Sequence, residues 1–490
     1  MDRAAAEREA IRLWRNLPVQ DRLTSRQAAA FAAMIAPTLD FEAPDRRSRI
    51  IAAWLEHDLA KSDIVVIDSD ESDESRHPRL AAPPWPTREG ASALALAISL
   101  VMMIARRPDI LSNAMLWAED GAVYFADAFN RGALSSLLLP YAGTLQFFPR
   151  AVYGLATLLP LRFVPLFGVW AALLVRAAIP AFLFSSRVPW IDWRAKVAIA
   201  AYFVLMPNLA EVHANPANTH WYLGLYLMAV VLADAPRTLA WKIHDWAVLV
   251  VAGLSGPMIL FVLPALLFRA AAQRGTPNVR WSFLAVAAAL AVVQLTLLVV
   301  TAIGVSAGPA TDTGIFSIPV MLVSRVIIGF ITPNRWIGAL STLVIAVPAL
   351  VLGLAVMIAV FVRGDWRARA VAIVPLLIVA AAIYTPIFRL SDVQWAPIFG
   401  VAGEGYFVVT GIAWAVTLIY FSTIYLPRLS NEALAVLILV AGLLILFDFP
   451  LPPVAGPAFG PEAARVVATA AGEPAIVPIS PPGWEMVLKK

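Results

Sequence analysis

The stretch Gly90-Ala-Ser-Ala-Leu-Ala-Leu-Ala-Ile-Ser-Leu-Val-Met-Met-Ile-Ala105 carries no charge and is the first apolar run of membrane length in the chain. In hydrocarbon every backbone N–H and C=O needs a partner within its own segment, so such a run crosses as a helix. It is followed by Ala114-Met-Leu-Trp-Ala-Glu119-Asp120-Gly121, which holds the only adjacent acidic pair after residue 80. Carboxylates at the edge of hydrocarbon are costly to place and are usually kept for function. These two pieces set the reading of the rest: an apolar helical scaffold that holds an acid pair at its rim.

Composition agrees. Hydrophobic residues make up 60% of the 490, charged residues 14%, and mean hydropathy is +0.76. A soluble domain has about 25% charged residues, and the alternating segments of a membrane β-barrel are absent. Further apolar runs lie near 164–184, 194–209, 221–233, 246–255, 257–268, 282–303, 336–362, 370–385, 407–426 and 433–446. The expected fold is all-α, a polytopic helical membrane protein with about eleven transmembrane helices and a long first extracytoplasmic loop. The two runs flanking Ser255-Gly256-Pro257 are short and read as candidate half-helices. Stretches 151–161 and 316–331 read as re-entrant or interfacial helices.

Arginine and lysine fix the expected orientation. Arg187, Arg194 and Lys196 share one loop; Arg237 and Lys242, then Arg269, Arg274 and Arg280, then Arg363, Arg367 and Arg369 share others, and Arg428 lies in the next. With eleven crossings these fall on the cytoplasmic side of a bacterial inner membrane, with the N-terminus. The C-terminus falls outside. Arg106 and Arg107 count against that assignment. The net charge of +4 reflects these loops and is weak support for a nucleic-acid partner. There is no cysteine, which excludes disulfides, thiolate zinc sites and cysteine nucleophiles.

Residues 1–62 read as a small helical cytoplasmic region, either a bundle or isolated helices, with apolar residues at helical spacing over 5–17, 26–35 and 45–59. Residues 63–88 read as an acidic, Pro-rich linker, 89–447 as the transmembrane domain and 448–490 as an extracytoplasmic tail. The front section shows no apolar core of a cleavable signal peptide. It holds 15 of the 33 acidic residues, so each acid in the membrane part is informative. The tail, with Ile476, Val477, Ile479, Trp484 and Val487, is too apolar for ordinary disorder and reads as an extended strap on the outer loops.

Three constellations are candidates for chemistry. Glu119 and Asp120 can take a proton from an acceptor hydroxyl or hold a divalent cation such as Mg or Mn; the competing reading is a solvated helix cap. Asp127, seven residues on, is expected on the same helical face. Glu211-Val-His213-Ala-Asn215-Pro-Ala-Asn218-Thr-His220-Trp221 offers His213, Asn218, His220 and Trp221 for substrate contact, and its His spacing matches no standard metal motif. The competing reading is an aromatic interfacial loop. Arg150, Arg325, Arg335 and Arg389, with Glu404, suit a phosphate at the membrane surface, or snorkel singly to lipid head groups. There is no phosphate-loop motif, no H-E-x-x-H and no dinucleotide fingerprint, so no nucleotide cofactor is expected.

On these residues the chain resembles the GT-C superfamily of membrane glycosyltransferases. The likeness rests on Glu119-Asp120 directly after the first span, the long first loop, and the outer arginines and aromatics. Pro140-Tyr-Ala-Gly-Thr-Leu-Gln-Phe-Phe-Pro149-Arg150, Asn218-Thr-His220-Trp221 and Ser255-Gly-Pro257 also look similar to bacterial members. It covers residues 90–446. The resemblance implies a polyprenyl-phosphate sugar donor, a glycan, lipid or protein acceptor, and membrane lipids as surroundings. It implies Asp120 as base or metal-supported activator, with Glu119 as partner, and Arg389 or Arg335 at the donor phosphate. The order here is Glu-Asp where many relatives have Asp-Glu. The alternatives are a transporter or flippase for lipid-linked saccharides, and a non-catalytic envelope scaffold.

Overall fold

The computed structural model describes residues 2–17, 25–41, 47–61, 88–302 save 275, 277 and 278, 320–337 save 334, 342–389, 404–426, part of 432–446, and 447–489. The 63–87 part of the expected linker and Arg428 lie outside them. The chain divides into two compact units, Met1–Pro86 and Thr87–Lys490.

In the first unit Asp2 accepts from Ala5 N at 2.6 Å and starts helix α1 (Arg3–Arg15), as a capping carboxylate should. Ala6, Ala10 and Trp14 recur every four residues and form one buried stripe. They meet Ala28 and Ala32 of α2 (Ser25–Ile35) and Ile51 and Leu55 of α3 (Arg47–Lys61). Trp14 packs on Phe31 at 5.5 Å, and Arg15 pairs with Asp58 across the bundle. Of the two forms left open by the sequence, the helices take the bundle.

The second unit is mostly helical. Its elements are α4 (Arg88–Arg106), α5 (Asp109–Ser112), a π-helical turn over Asp120–Phe125, α6 (Ala126–Arg131), α7 (Ala133–Ser136), a ribbon of β1 (Pro140–Tyr141) and β2 (Thr144–Leu145), and α8 (Phe147–Ala156). Then come α9 (Val164–Leu183), α10 (Trp193–Leu205), α11 (Thr219–Leu232), α12 (Leu239–Gly253), α13 (Met258–Ala272) and α14 (Trp281–Ala302). A second π-helical turn, Val323–Ile327, precedes α15 (Leu343–Arg363), α16 (Trp366–Arg389), α17 (Gly405–Tyr425), α18 (Phe459–Ala468) and the antiparallel pair β3 (Pro474–Ile479) and β4 (Trp484–Lys489).

Among the described residues five apolar segments are long enough to cross a bilayer: Glu89–Arg106, Leu161–Leu183, Trp281–Thr301, Leu343–Arg363 and Gly405–Tyr425. The chain is a helical membrane protein. Several other expected runs form shorter helices. The run near 194–209 stops at Leu205, because Pro207 lacks an N–H and drives Met206 to ψ 131°. Residues 206–218 then form an irregular loop with Asn208 and Ala214 at positive φ.

The runs beside Ser255-Gly256-Pro257 form short helices, as expected. They are α12 and α13, 15 residues each, about 22 Å at helical rise, joined as a hairpin. Gly256 turns the chain at φ +86°, where only glycine is unstrained. Its N–H donates to Leu145 O at 2.7 Å, and Phe148 N donates to Ser255 Oγ at 2.9 Å. The hairpin tip is thereby stitched to the loop that carries β2.

Polar contacts gather at two ends. At the basic-loop end, Arg187 reaches Asp245 with both terminal nitrogens at 3.0 Å, Arg280 reaches the same carboxylate at 2.6 Å, and Arg367 reaches Asp234 at 2.9 Å. At the other end lie the acid pair, the 206–218 loop and the tail. The tail is not a plain strap. The β3–β4 hairpin packs Val477, Ile479, Met486 and Leu488 against Leu116, Tyr124 and Phe125, a small core of its own. Ala118 N donates to Ser480 O at 2.5 Å, and Ser480 N to Leu116 O at 3.0 Å. Asn130 clamps β4 at Val487 O and Lys489 N.

Candidate functional site

Asp120 begins the first π-helical turn, a wide turn often found at functional sites. It is 1% exposed. Its Oδ1 accepts from Ala217 N at 2.8 Å, and the Tyr153 hydroxyl donates to the same carboxyl. Burial pushes the Asp120 carboxyl well above the usual carboxylate range, against the pull of the Ala217 N–H. Glu119 beside it is half-buried, and desolvation raises it too. Raised carboxyls of this kind are suited to proton transfer near neutral pH. The pair is not a solvated cap: neither residue makes a side-chain cap to the turn, and Asp120 bonds across to another loop.

Asp127 is engaged elsewhere, by Arg150 at 3.1 Å and Arg131 at 3.3 Å. The π-helical turn between it and Asp120 shifts the phase that a 3.6-residue period assumes. Arg150 is buried, with its guanidinium 5.4 Å from the Tyr124 ring centre, so here it holds the first loop together.

The 206–218 loop is the hub that joins these groups. Asn208 N donates to Asp448 Oδ2 at 3.1 Å, and Asn208 Nδ2 to Thr332 O at 3.1 Å. Glu211 N donates to a Glu404 oxygen at 2.8 Å, and Glu404 N to a Glu211 oxygen at 2.9 Å. Burial lifts Glu404 to about 8, with the Glu211 N–H opposing and the Glu211 charge adding. His213 Nε2–H donates to Met103 O at 3.0 Å, so Nδ1 accepts from Arg176 Nη1 at 2.9 Å. Burial, then the charges of Arg176, Arg107 and Arg106, keep that ring neutral, well below its usual range. Ala217 then reaches Asp120.

The remaining candidates divide. Asn218 and His220 shape the start of α11: Asn218 Nδ2 donates to Glu211 O at 3.3 Å, and His220 Nδ1–H to Ala217 O at 2.9 Å. Trp221 packs 4.8 Å from the Tyr406 ring, and its indole fills the space beside Gly405. Arg325 is buried in the second π-helical turn, 5.3 Å from the Phe407 ring centre. Arg335 is exposed and stacks by Trp336 and Phe447. Arg389 ends α16, and its side chain lies outside the described residues. His213, Asn218, Glu404 and Asp120 are therefore brought to one loop, while Arg150 serves Asp127.

Among the described residues no three His, Cys, Asp or Glu side chains are grouped to hold a metal ion. The acid pair offers two carboxyls, one already bonded to Ala217 N, and no step below runs through a cation. No family model, curated protein or solved structure matches this chain.

Sequence reasoning missed Arg176, Tyr222 and the anchoring role of Arg106. Arg106 is fully buried and donates to the carbonyls of Val204, Met206, Asp448 and Phe449. It ties the end of α4 to the loop and the tail, which explains a charge that seemed out of place. Arg176 had a signal: a lone charge inside an apolar run is rare and marks function by default.

Proposed function

We propose that this protein is a membrane glycosyltransferase that moves a sugar from a polyprenyl-phosphate donor to an envelope acceptor on the extracytoplasmic face of a bacterial inner membrane. The observation that carries the reading is the acid pair held at the mouth of the helices, between the 206–218 loop and the tail hairpin. The acceptor O–H proton passes to a carboxylate of the pair. The acceptor oxygen bonds to the anomeric carbon, the bond from that carbon to phosphate oxygen breaks, and polyprenyl phosphate leaves with the electron pair. The resemblance gives the base position to Asp120. The half-exposed Glu119 is the carboxyl an acceptor reaches, and the buried Asp120 positions its loop. Inversion at that carbon follows from a single displacement.

Eleven crossings, with a cytoplasmic N-terminus and an extracytoplasmic C-terminus, complete the reading. The convergence of Arg187, Arg280 and Arg367 at one end supports it, because basic loops favour the cytoplasm. The chain has no cysteine, so a single Glu473→Cys change at an exposed tail position should react with an impermeant maleimide from outside whole cells. Labelling only after lysis would reverse the orientation.

The deciding assay supplies labelled polyprenyl-phosphate sugars to membranes holding Glu119→Gln or Asp120→Asn. Loss of transfer is expected from either. Full transfer by both folded variants would remove the mechanism. Arg176, a charge buried inside α9, favours the second reading, a flippase for lipid-linked saccharides. A flippase moves lipid between leaflets in vesicles and forms no new glycosidic bond.

A further inference from the structure

Arg176 is 1% exposed, and its guanidinium is only partly used. Nη1 donates to His213 Nδ1, while Nε and Nη2 have no hydrogen-bond partner among the described residues. Those two atoms form one edge of the guanidinium, the edge that takes two oxygens of a phosphate or carboxylate side by side. Among the described residues no carboxylate pairs with Arg176. Its charge lies 4.9 Å from the Tyr222 ring centre and 5.7 Å from that of Phe203. The Tyr222 hydroxyl is also buried and without a partner. So is Arg107 Nε, whose Nη1 is held by Ala210 O at 2.8 Å. Four buried donor atoms on three residues, two guanidiniums and a phenol, thus stay open near His213. Buried polar groups are ordinarily satisfied, and a buried cation ordinarily has an anion.

The site also has a level. His213 bonds Met103 near the end of α4, Phe203 is near the end of α10, and Tyr222 is in the first turn of α11. Arg176 thus lies level with the ends of α4 and α10 and the start of α11, within the apolar segment Leu161–Leu183. One helical turn further in, Ile179 of α9 and Leu225 of α11 line a cavity of about 110 Å³, which Phe203 also lines. Met228, Val374 and Ile412 continue it between α9, α10, α11, α16 and α17. Its walls are apolar, and Phe203, which lines it, has its ring centre 5.7 Å from the Arg176 guanidinium.

We propose that Arg176 Nε and Nη2, with Tyr222 Oη, bind a phosphate oxyanion, and that the cavity takes the first part of the hydrocarbon chain of the lipid carrying it. The pairing of a two-pronged cation with an apolar slot suits a lipid phosphate: oxygens at the guanidinium, methylene or isoprene units beyond Phe203. The inference rests on the lipid-linked donor proposed above and names where its phosphate sits. It replaces Arg335, which is exposed, as the phosphate ligand.

The test uses full-length protein in nanodiscs and reads binding, not transfer. The probes are a polyprenyl monophosphate, the matching neutral polyprenol and inorganic phosphate. Polyprenyl monophosphate should bind about tenfold tighter or more than polyprenol, as loss of charged hydrogen bonds predicts. Arg176→Lys keeps the charge and loses the paired edge, and should cost about tenfold. Tyr222→Phe removes a hydroxyl with no protein partner, so it folds as the parent does, and should weaken binding several-fold. Equal binding by the parent and by folded Arg176→Lys and Tyr222→Phe overturns the site. Polyprenol binding as tightly as its phosphate overturns the anion. Inorganic phosphate competing at the same concentration as the lipid overturns the lipid. Binding without any transferase activity would sink the glycosyltransferase reading and leave this one standing.

Discussion

Two buried arginine sites divide the charge of the transmembrane unit, and they are built on opposite terms. At the basic-loop end Asp245, fully buried, receives Arg187, Arg280 and His244. His244 is its neighbour on α12, while Arg187 comes from the connection after α9 and Arg280 from the one before α14, so the cluster pins α9, α12 and the start of α14 together. At the acidic-pair end Arg176 has one imidazole nitrogen, two aromatic neighbours and an open edge. A saturated buried network fixes a fold; a half-satisfied one is tolerated where something else completes it. The first site holds the helices, and the second leaves room for a ligand.

Several changes would break or sharpen that contrast. Asp245→Asn leaves the buried Arg187 and the half-buried Arg280 guanidiniums without a counter-charge, and should cost about 3–5 kcal/mol of stability. Thermal unfolding in detergent or nanodiscs reads it, and a change under 1 kcal/mol would put the two sites on the same footing. Next is pH. Glu404 sits near 8 in the fold against 4.5 for a free side chain, so the folded state favours its neutral form. That contribution is complete below about 4.5 and is lost as pH rises through about 8, on the order of 5 kcal/mol. The melting temperature should fall between pH 5 and 9, and Glu404→Gln should flatten the fall.

Asp120→Ala strips an acceptor from buried Ala217 N and should cost about 1–3 kcal/mol. Asp120→Asn keeps an acceptor oxygen and should cost less, so comparing the two separates positioning from charge. The smallest effect is expected at Arg176→Met. Removing an unmatched buried cation gains, and leaving His213 Nδ1 without a donor loses, so stability should move by no more than about 1 kcal/mol. A loss as large as that at Asp245 would mean that Arg176 is structural.

Much of the frame was legible beforehand. Long charge-free runs name membrane helices, and helical spacing of apolar residues over 5–17 names a helix, though not whether it packs on others. The acid pair and the polar stretch 211–221 were also visible, because polar residues stand out against 60% apolar sequence. The directions of the side chains were not. Asp127 was expected beside Asp120, but an intervening π-helical turn, invisible to a fixed period, sends it to Arg150. Arg106 looked like a misplaced loop charge until Val204, Met206, Asp448 and Phe449 supplied its carbonyls from far along the chain.

The amino-acid order alone determined that this chain enters a membrane, where its acids are scarce, and which loops are basic, since transfer free energy and charge are properties of short segments. Tertiary structure decided which of those charges are satisfied. That Asp245 is matched and Arg176 is not depends on groups 58, 35 and 37 residues apart in sequence. Hydrogen bonds act over about 3 Å, so only the folded path of the backbone can bring such partners together or leave an edge open.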